Sequence, residues 1–237
     1  MTTRRRIIPD AITSCNLLCG SVAVFLATQG AFIWAFVFIL AGAFFDFFDG
    51  LSARKLKAPS PIGIQLDSLA DDITFGLAPS MMLFCYLKPI LGWWALIALL
   101  MAAASALRLA KFNVDERQHT SFIGLATPPN AIFWAALCCM PYAVIAYDWI
   151  AWILLALSLL SCYLLNAEIP FFSFKSFRKD KLIISCFIAG CILLIALCIA
   201  RAITTGHIEF ALFSGTVCVL WYVLLNLLLA CLPKKKD

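Results

Sequence analysis

The chain has 237 residues, 64% of them hydrophobic and 13% charged, with a formal net charge of +5 and a mean hydropathy of +0.98. Soluble domains are nearer half apolar and a quarter charged, so this composition excludes an ordinary soluble protein. It predicts an all-α polytopic membrane bundle, in which each span takes about 20 mostly apolar residues.

The first thirty residues, MTTRRRIIPDAITSCNLLCGSVAVFLATQG, have the basic start and apolar run of a signal peptide. Pro9-Asp10 interrupts ahead of that run and no small-x-small cleavage site follows, so the segment reads as a retained first span. Eight apolar segments follow one another, at about 11–29, 31–52, 64–87, 90–110, 128–147, 149–165, 182–201 and 208–232. The breaks between them are Gln29-Gly30, the KAPSP turn, Lys88-Pro89, the KFNVDERQHTS loop, Tyr147-Asp148, the FKSFRKDK loop and TTGH.

With the N-terminus in the cytoplasm, every Lys and Arg of the 18 falls on the cytoplasmic side except Lys88 and Arg201. This alternation is what the positive-inside rule requires. Eight spans with both termini cytoplasmic are therefore expected, in the cell (inner) membrane. The positive flanks suit an anionic leaflet and imply no nucleic acid partner.

The rest of the inventory is plain. The eleven cysteines lie almost all in apolar segments and form no pair of CxxC units, so they read as small packing residues and not as a zinc site. His119 and His207 stand alone in loops. Pro79 is expected to kink the third span. No long repeat and no soluble domain interrupts the chain, which reads as one membrane domain, 1–237, with the last two spans (182–232) at its periphery.

One stretch breaks the apolar pattern. DFFDGLSARKLKAPSPIGIQLDSLADD carries Asp46, Asp49, Asp67, Asp71 and Asp72. Spacings of three and four put Asp46 with Asp49, and Asp67 with Asp71, on single helix faces. The KAPSP connection makes the two helices antiparallel neighbours, so the four acids converge at the cytoplasmic ends of the second and third spans. Ionised groups in a span are costly unless paired or metal-bound. Converging carboxylates must take up protons or share a divalent cation, and hard oxygen donors suit Mg²⁺ or Mn²⁺ with positions left open for phosphate oxygens. Gly50, Ala53 and Gly63 permit close approach of a ligand to the backbone, and Arg54 offers a fork suited to phosphate. Lys55 and Lys57 read as topology flanks.

The pattern Asp46-x2-Asp49-Gly50-x2-Ala53-Arg54-x8-Gly63-x3-Asp67-x3-Asp71 resembles the signature of the CDP-alcohol phosphotransferase family, with all eight fixed residues at the right spacing. The resemblance implies transfer of a substituted phosphate from a CDP-linked donor to an alcohol, with release of CMP. It implies that Asp46, Asp49 and Asp67 bind one or two divalent metals. Asp71 would take the proton of the attacking hydroxyl, touching the second metal, while Gly50, Ala53, Arg54 and Gly63 hold the CDP part. A homodimer is a further expectation of the resemblance.

Longer stretches resemble the phosphatidylserine-forming branch of that family: IPDAITSCNLLCGSVAVFLA, IGIQLDSLADDITFGLAPS, SALRLAKFN, FIGLATPPNA and EIPFFSFK. They cover about residues 7–176 and imply CDP-diacylglycerol and L-serine as substrates, in a bed of membrane lipid. Two places depart from that branch. Asp72 stands where an apolar residue is usual, and Asn166-Ala167-Glu168 is unusual before Ile169-Pro170. Asp72 is one step around the helix from Asp71 and faces another helix or the loop. Serine needs a cation for its carboxylate and hydrogen-bonding groups. Arg108, Lys111, Asn113 and Thr127 are the candidates, and Arg108 and Lys111 fit topology flanks equally well. Asn16 fits either a contact to the nucleotide or a bond to a neighbouring helix.

Two other readings compete. The same site could serve glycerol 3-phosphate, inositol phosphate or choline, although phosphorylated acceptors call for more basic residues than this chain offers. A cation or proton transporter needs polar groups at the bilayer midplane of several helices, whereas these acids cluster at one end of two.

Overall fold

The computed structural model describes residues 4–56, 61–114, 122–142, 147–171 and 181–231. Lipid offers no partners to backbone N–H and C=O groups, so apolar runs of this length must pair them internally as helices. Helix α1 (Arg4–Thr28) runs through Pro9, which has no N–H to give to the carbonyl one turn before it. It turns at Gly30 (φ +73°) into α2 (Phe32–Leu56), which lies along it.

The third span is one helical arm in three parts. α3 (Pro61–Asp71) passes into a π-helical segment (Asp72–Leu77) and then α4 (Ala78–Leu91). The Ala78 N–H bonds the Ile73 carbonyl five residues back, and Pro79, the next residue, has no N–H to give. Where the sequence predicts a kink, the structure shows this widening of the helix.

The chain reverses at Gly92, whose φ of +58° favours glycine. The reversal lies beyond the predicted break at Lys88-Pro89, because Pro89 is accommodated inside α4. Eight residues of 3₁₀ helix (Gly92–Leu99) then lead into α5 (Leu100–Val114). A straight helix of these 54 residues would be ~80 Å long, against a hydrocarbon core of ~30 Å. Folding back brings Asn113 Nδ2 to within 2.8 Å of Ser68 Oγ, so α5 returns antiparallel beside α3 and the π segment.

α6 (Thr127–Cys138) is shorter than the predicted 128–147. It ends ahead of Pro141, which disfavours helix in the residue before it; residues 143–146 of the predicted span lie outside the described residues. α7 (Asp148–Asn166) follows, then α8 (Lys181–Thr205), the short α9 (Glu209–Leu212) and α10 (Ser214–Cys231). Six described helical stretches are long and apolar enough to cross a membrane, the folded-back 61–114 stretch counting as one. A two-residue antiparallel ladder, β1 (Phe122–Ile123) with β2 (Pro170–Phe171), ties the approach to α6 to the exit of α7.

The core lies among α1, α2, α4, α6 and α7, and includes Phe36, Ile39, Phe75, Met82, Leu83, Leu87 and Trp134. Its polar groups are tied across helices. Tyr86 Oη donates to the Met140 carbonyl (3.0 Å), Trp134 Nε1 to Ser161 Oγ (3.0 Å) and Asn166 Nδ2 to the Ala104 carbonyl (2.9 Å). α10 packs against α6 and α8, and its Thr216 hydroxyl donates to the Phe133 carbonyl (2.9 Å).

Helices approach closely where α1, α2 and the π segment meet. A Cβ added to Gly20 would lie 2.8 Å from Thr74 Cα, and one added to Gly42 would lie 2.8 Å from Asn16 Oδ1. The Thr74 hydroxyl donates to the Asn16 carbonyl (3.0 Å), closing the junction. Backbone cannot give way as a flexible side chain can, so Gly20→Ala is expected to destabilise the protein by about 1–3 kcal/mol. A lowered unfolding midpoint of the detergent-purified protein would register this, with Ser21→Ala on the exposed neighbouring face as the control that moves little.

Candidate active site

Three of the predicted acids meet. One carboxylate oxygen from each of Asp46, Asp49 and Asp67 lies within 4.8 Å of the other two. The helix spacing puts Asp46 and Asp49 on one face of α2, one turn apart, and α3 carries Asp67 to the same level. Asp49 is buried (5% exposed), and the Thr13 hydroxyl of α1 lies within reach of its carboxylate. Asp49 Oδ2 and Asp67 Oδ1 are buried with no hydrogen-bond partner. Unpaired carboxylate oxygens facing one another in a low-dielectric layer repel and are poorly solvated. A hard divalent cation satisfies them, so the donor set fits Mg²⁺ or Mn²⁺.

Asp71 stands one turn beyond Asp67 and is held differently. Its Oδ1 accepts a hydrogen bond from Asn16 Nδ2 at 3.0 Å. It remains within electrostatic reach of Asp46, Asp67 and Asp49, and on its other side of the Arg108 guanidinium. Of the two readings of Asn16, the contact present is the one to a neighbouring helix. Asn16 is fully buried and spends its donor on Asp71.

The remaining predicted residues divide into near and far. Gly50 lies on the α2 face just past Asp49, and Arg54, exposed, brings Nη2 to 4.0 Å from where a Gly50 Cβ would stand. Gly63 is half-buried on the first turn of α3. Ala53 follows on α2, its side chain outside the described residues. Arg108 is buried (7% exposed) at the Asp71 side of the cluster. Lys111 is exposed at the end of α5, Asn113 is committed to Ser68, and Thr127 is buried at the start of α6.

The sequence reading singled out Asn16 but missed Thr13 among the supports of the site. Thr13 and Asn16 sit at a spacing of three on α1, with Gly20 one turn further on the same face. That polar-and-small stripe in an apolar span was the available signal. It also missed Tyr222 of α10, which comes within electrostatic reach of Arg108.

Residues 6–164 match the family model described as CDP-alcohol phosphatidyltransferase, a stretch that contains every acid of the cluster. The chain belongs to this family. Its similarity to individual members runs long. A Bacillus subtilis protein named CDP-diacylglycerol–serine O-phosphatidyltransferase is 37% identical over 179 residues, covering 74% of this chain and 95% of that protein. Proteins of the same name from Helicobacter pylori and Methanocaldococcus jannaschii are 33% and 32% identical over 129 and 131 residues. Those stretches cover 53% and 55% of this chain, and 54% and 60% of the two proteins.

Three convergent carboxylates with a fourth held apart can gather positive charge at one point and keep a proton acceptor beside it. Removing one charge from the triad should cost metal binding directly. Asp67→Asn is expected to raise the dissociation constant for Mn²⁺ at least about tenfold, a loss of roughly 1.4 kcal/mol. Asp10→Asn, on α1 outside the cluster, leaves it unchanged. Electron paramagnetic resonance titration of the purified protein with Mn²⁺ measures both.

Proposed function

We propose that the chain transfers the phosphatidyl group of CDP-diacylglycerol to the hydroxyl of L-serine, releasing CMP and forming phosphatidylserine. The observation that carries this is the Asp46–Asp49–Asp67 cluster with Asp71 tethered beside it. Agreement with the Bacillus subtilis protein over nearly all of that protein's length favours serine as the acceptor.

The serine oxygen attacks the phosphorus that bears diacylglycerol. The new O–P bond forms as the bond from that phosphorus to the CMP oxygen breaks, and CMP leaves with the electron pair. A hydroxyl is a weak nucleophile at neutral pH and needs a positioned base. Asp71 takes its proton. Because Asn16 occupies Oδ1, Oδ2 is the oxygen left to accept it. A divalent metal, Mg²⁺ or Mn²⁺, as one or two ions on Asp46, Asp49 and Asp67, supplies positive charge to the diphosphate oxygens when bound. Gly50, Ala53 and Gly63 leave room for the CDP backbone, and Arg54 pairs with a phosphate oxygen. Arg108, buried and facing Asp71, receives the serine carboxylate.

The acyl chains stay in lipid while the head group enters at the cytoplasmic surface, which suits acids placed at helix ends. In this reading the chain crosses the inner membrane eight times with both termini in the cytoplasm. The 61–114 stretch makes two passes and α6 with the residues after it makes one. The positive-inside pattern supports that count, and a homodimer is the expected assembly.

CMP release by purified protein tests the reaction, with CDP-diacylglycerol, Mn²⁺ or Mg²⁺, and each candidate alcohol in turn. Release that requires both serine and metal is the expected result. Release only with another alcohol would move the protein to a sister activity. Asp71→Asn is expected to cut turnover by about 10²–10⁴-fold while leaving CDP-diacylglycerol binding largely intact. Asn16→Leu, which frees Asp71 without removing it, should cost about 10–100-fold.

A further inference from the structure

At the end of the bundle away from the acids, the turn between α1 and α2 and the last turns of α4 border a cavity of about 620 Å³. Pockets that hold a small ligand run from about 300 to 1,000 Å³. Phe32, in its wall, opens α2, and Asp46 lies about four turns further on, ~20 Å along the axis. The cavity is therefore separate from the acid cluster.

Met81, Phe84, Cys85 and Lys88 follow one another at helical spacing, so one face of α4 forms a wall of the cavity. Phe32 and Tyr142, their ring centres 6.3 Å apart, form its aromatic side. Lys88 is the one charged residue of this lining, which holds no acid. Its Nζ stands 5.6 Å from the centre of the Phe84 ring and 5.7 Å from that of Trp93. Two aromatic rings attract the cation and set its position. An ammonium has three N–H donors to offer an anion.

The depth of this cation is marked by its surroundings. Trp93, Trp94, Tyr147 and Trp149 are all exposed at the same end of the bundle. Exposed Trp and Tyr gather at the level of lipid head groups. Met81 lies two turns back along α4, toward the acyl region. Lys88 is also one of the two basic residues that the positive-inside pattern leaves over. The other, Arg201, stands over the Phe210 ring at 5.8 Å and takes no part in this lining.

We infer that this cavity binds a membrane glycerophospholipid with an anionic head group, whose phosphate meets Lys88 while one acyl chain runs along Phe32, Met81 and Phe84. A lysine pairs with phosphate oxygens as a point charge, and the apolar wall below it suits a hydrocarbon chain. A head group with a cation of its own would find no acid in the lining to receive it. Binding here is independent of which alcohol the acid cluster serves.

The test uses the full chain purified in detergent, titrated with phosphatidylglycerol and with phosphatidylcholine of the same acyl chains. Native mass spectrometry reads the lipid bound. Phosphatidylglycerol should bind about fivefold more tightly, the worth of one lysine at an anionic lipid. Lys88→Gln should remove that preference and Lys88→Arg should keep it. Arg201→Gln, outside the cavity, should leave both affinities unchanged. Met81→Trp, which fills the apolar wall, should weaken both lipids, and serves alone if Lys88→Gln does not yield folded protein. Inorganic phosphate should not displace the lipid.

Equal affinities in the wild type, a preference that survives Lys88→Gln, or the same loss in Arg201→Gln would overturn the inference. Lipid binding untouched by Met81→Trp would do so as well. Displacement of phosphatidylglycerol by inorganic phosphate would overturn it too, and would assign Lys88 to a free anion.

Discussion

Carboxylates gathered in a layer of low dielectric repel one another, and this repulsion organises the rest of the molecule. Asp46, Asp49 and Asp67 place oxygens within 4.8 Å of one another. At that distance two like charges in a water-poor environment cost several kcal/mol even at an effective dielectric of about 20. Nothing in the described protein neutralises the triad: Arg54 is exposed, and Arg108 lies on the Asp71 side. The chain keeps an arrangement that is unfavourable empty, and this is what a metal centre requires. Folding energy invested elsewhere holds the donors in place, and the cation recovers it on binding.

That investment is made where α1, α2 and the π segment cross. Gly20 and Gly42 let the backbones come together, and Thr74 bonds the Asn16 carbonyl across the junction. The crossing fixes Asn16, and Asn16 in turn bonds Asp71 Oδ1. The π-helical turn matters here as well. It begins at Asp72, and an extra residue in the turn changes the direction of every side chain after it relative to α3. Thr74 can then face α1 while Gly76 faces α5, on an arm whose earlier turns carry the acids.

Much of this was legible in the sequence, for a physical reason. Hydropathy fixes where spans lie because lipid penalises every unpaired backbone group, and helical periodicity fixes which acids share a face. Asp46, Asp49 and Asp67 are therefore legible in the sequence itself. What the sequence hid are contacts with no local signature. Asn16 and Asp71 are 55 residues apart, and Asn113 and Ser68 are 45 apart. Neither separation has a period to read. The ends of helices were misjudged where one residue decides: Gly92 turned the chain where Pro89 had been expected to, and Pro141 cut α6 short. Lys111 and Arg108 were indistinguishable by spacing. Only packing separates them, leaving Lys111 on the surface and Arg108 buried.

The division of labour between the two helical arms follows from that burial. α2 and α3 present anions that need a metal and diphosphate. α5 presents a guanidinium, which repels a metal ion and attracts an anionic group. Donor and acceptor substrates of a transfer reaction must approach one phosphorus from opposite sides if the attacking and leaving oxygens are to lie in line. An antiparallel pair of arms, joined by a reversal at Gly92 on the far side, offers two differently charged walls at one depth. Asp71 sits at the seam between them, bonded to α1 on one side and facing α5 on the other. In the proposed transfer, a base that touches the acceptor while a metal holds the donor would stand at this seam.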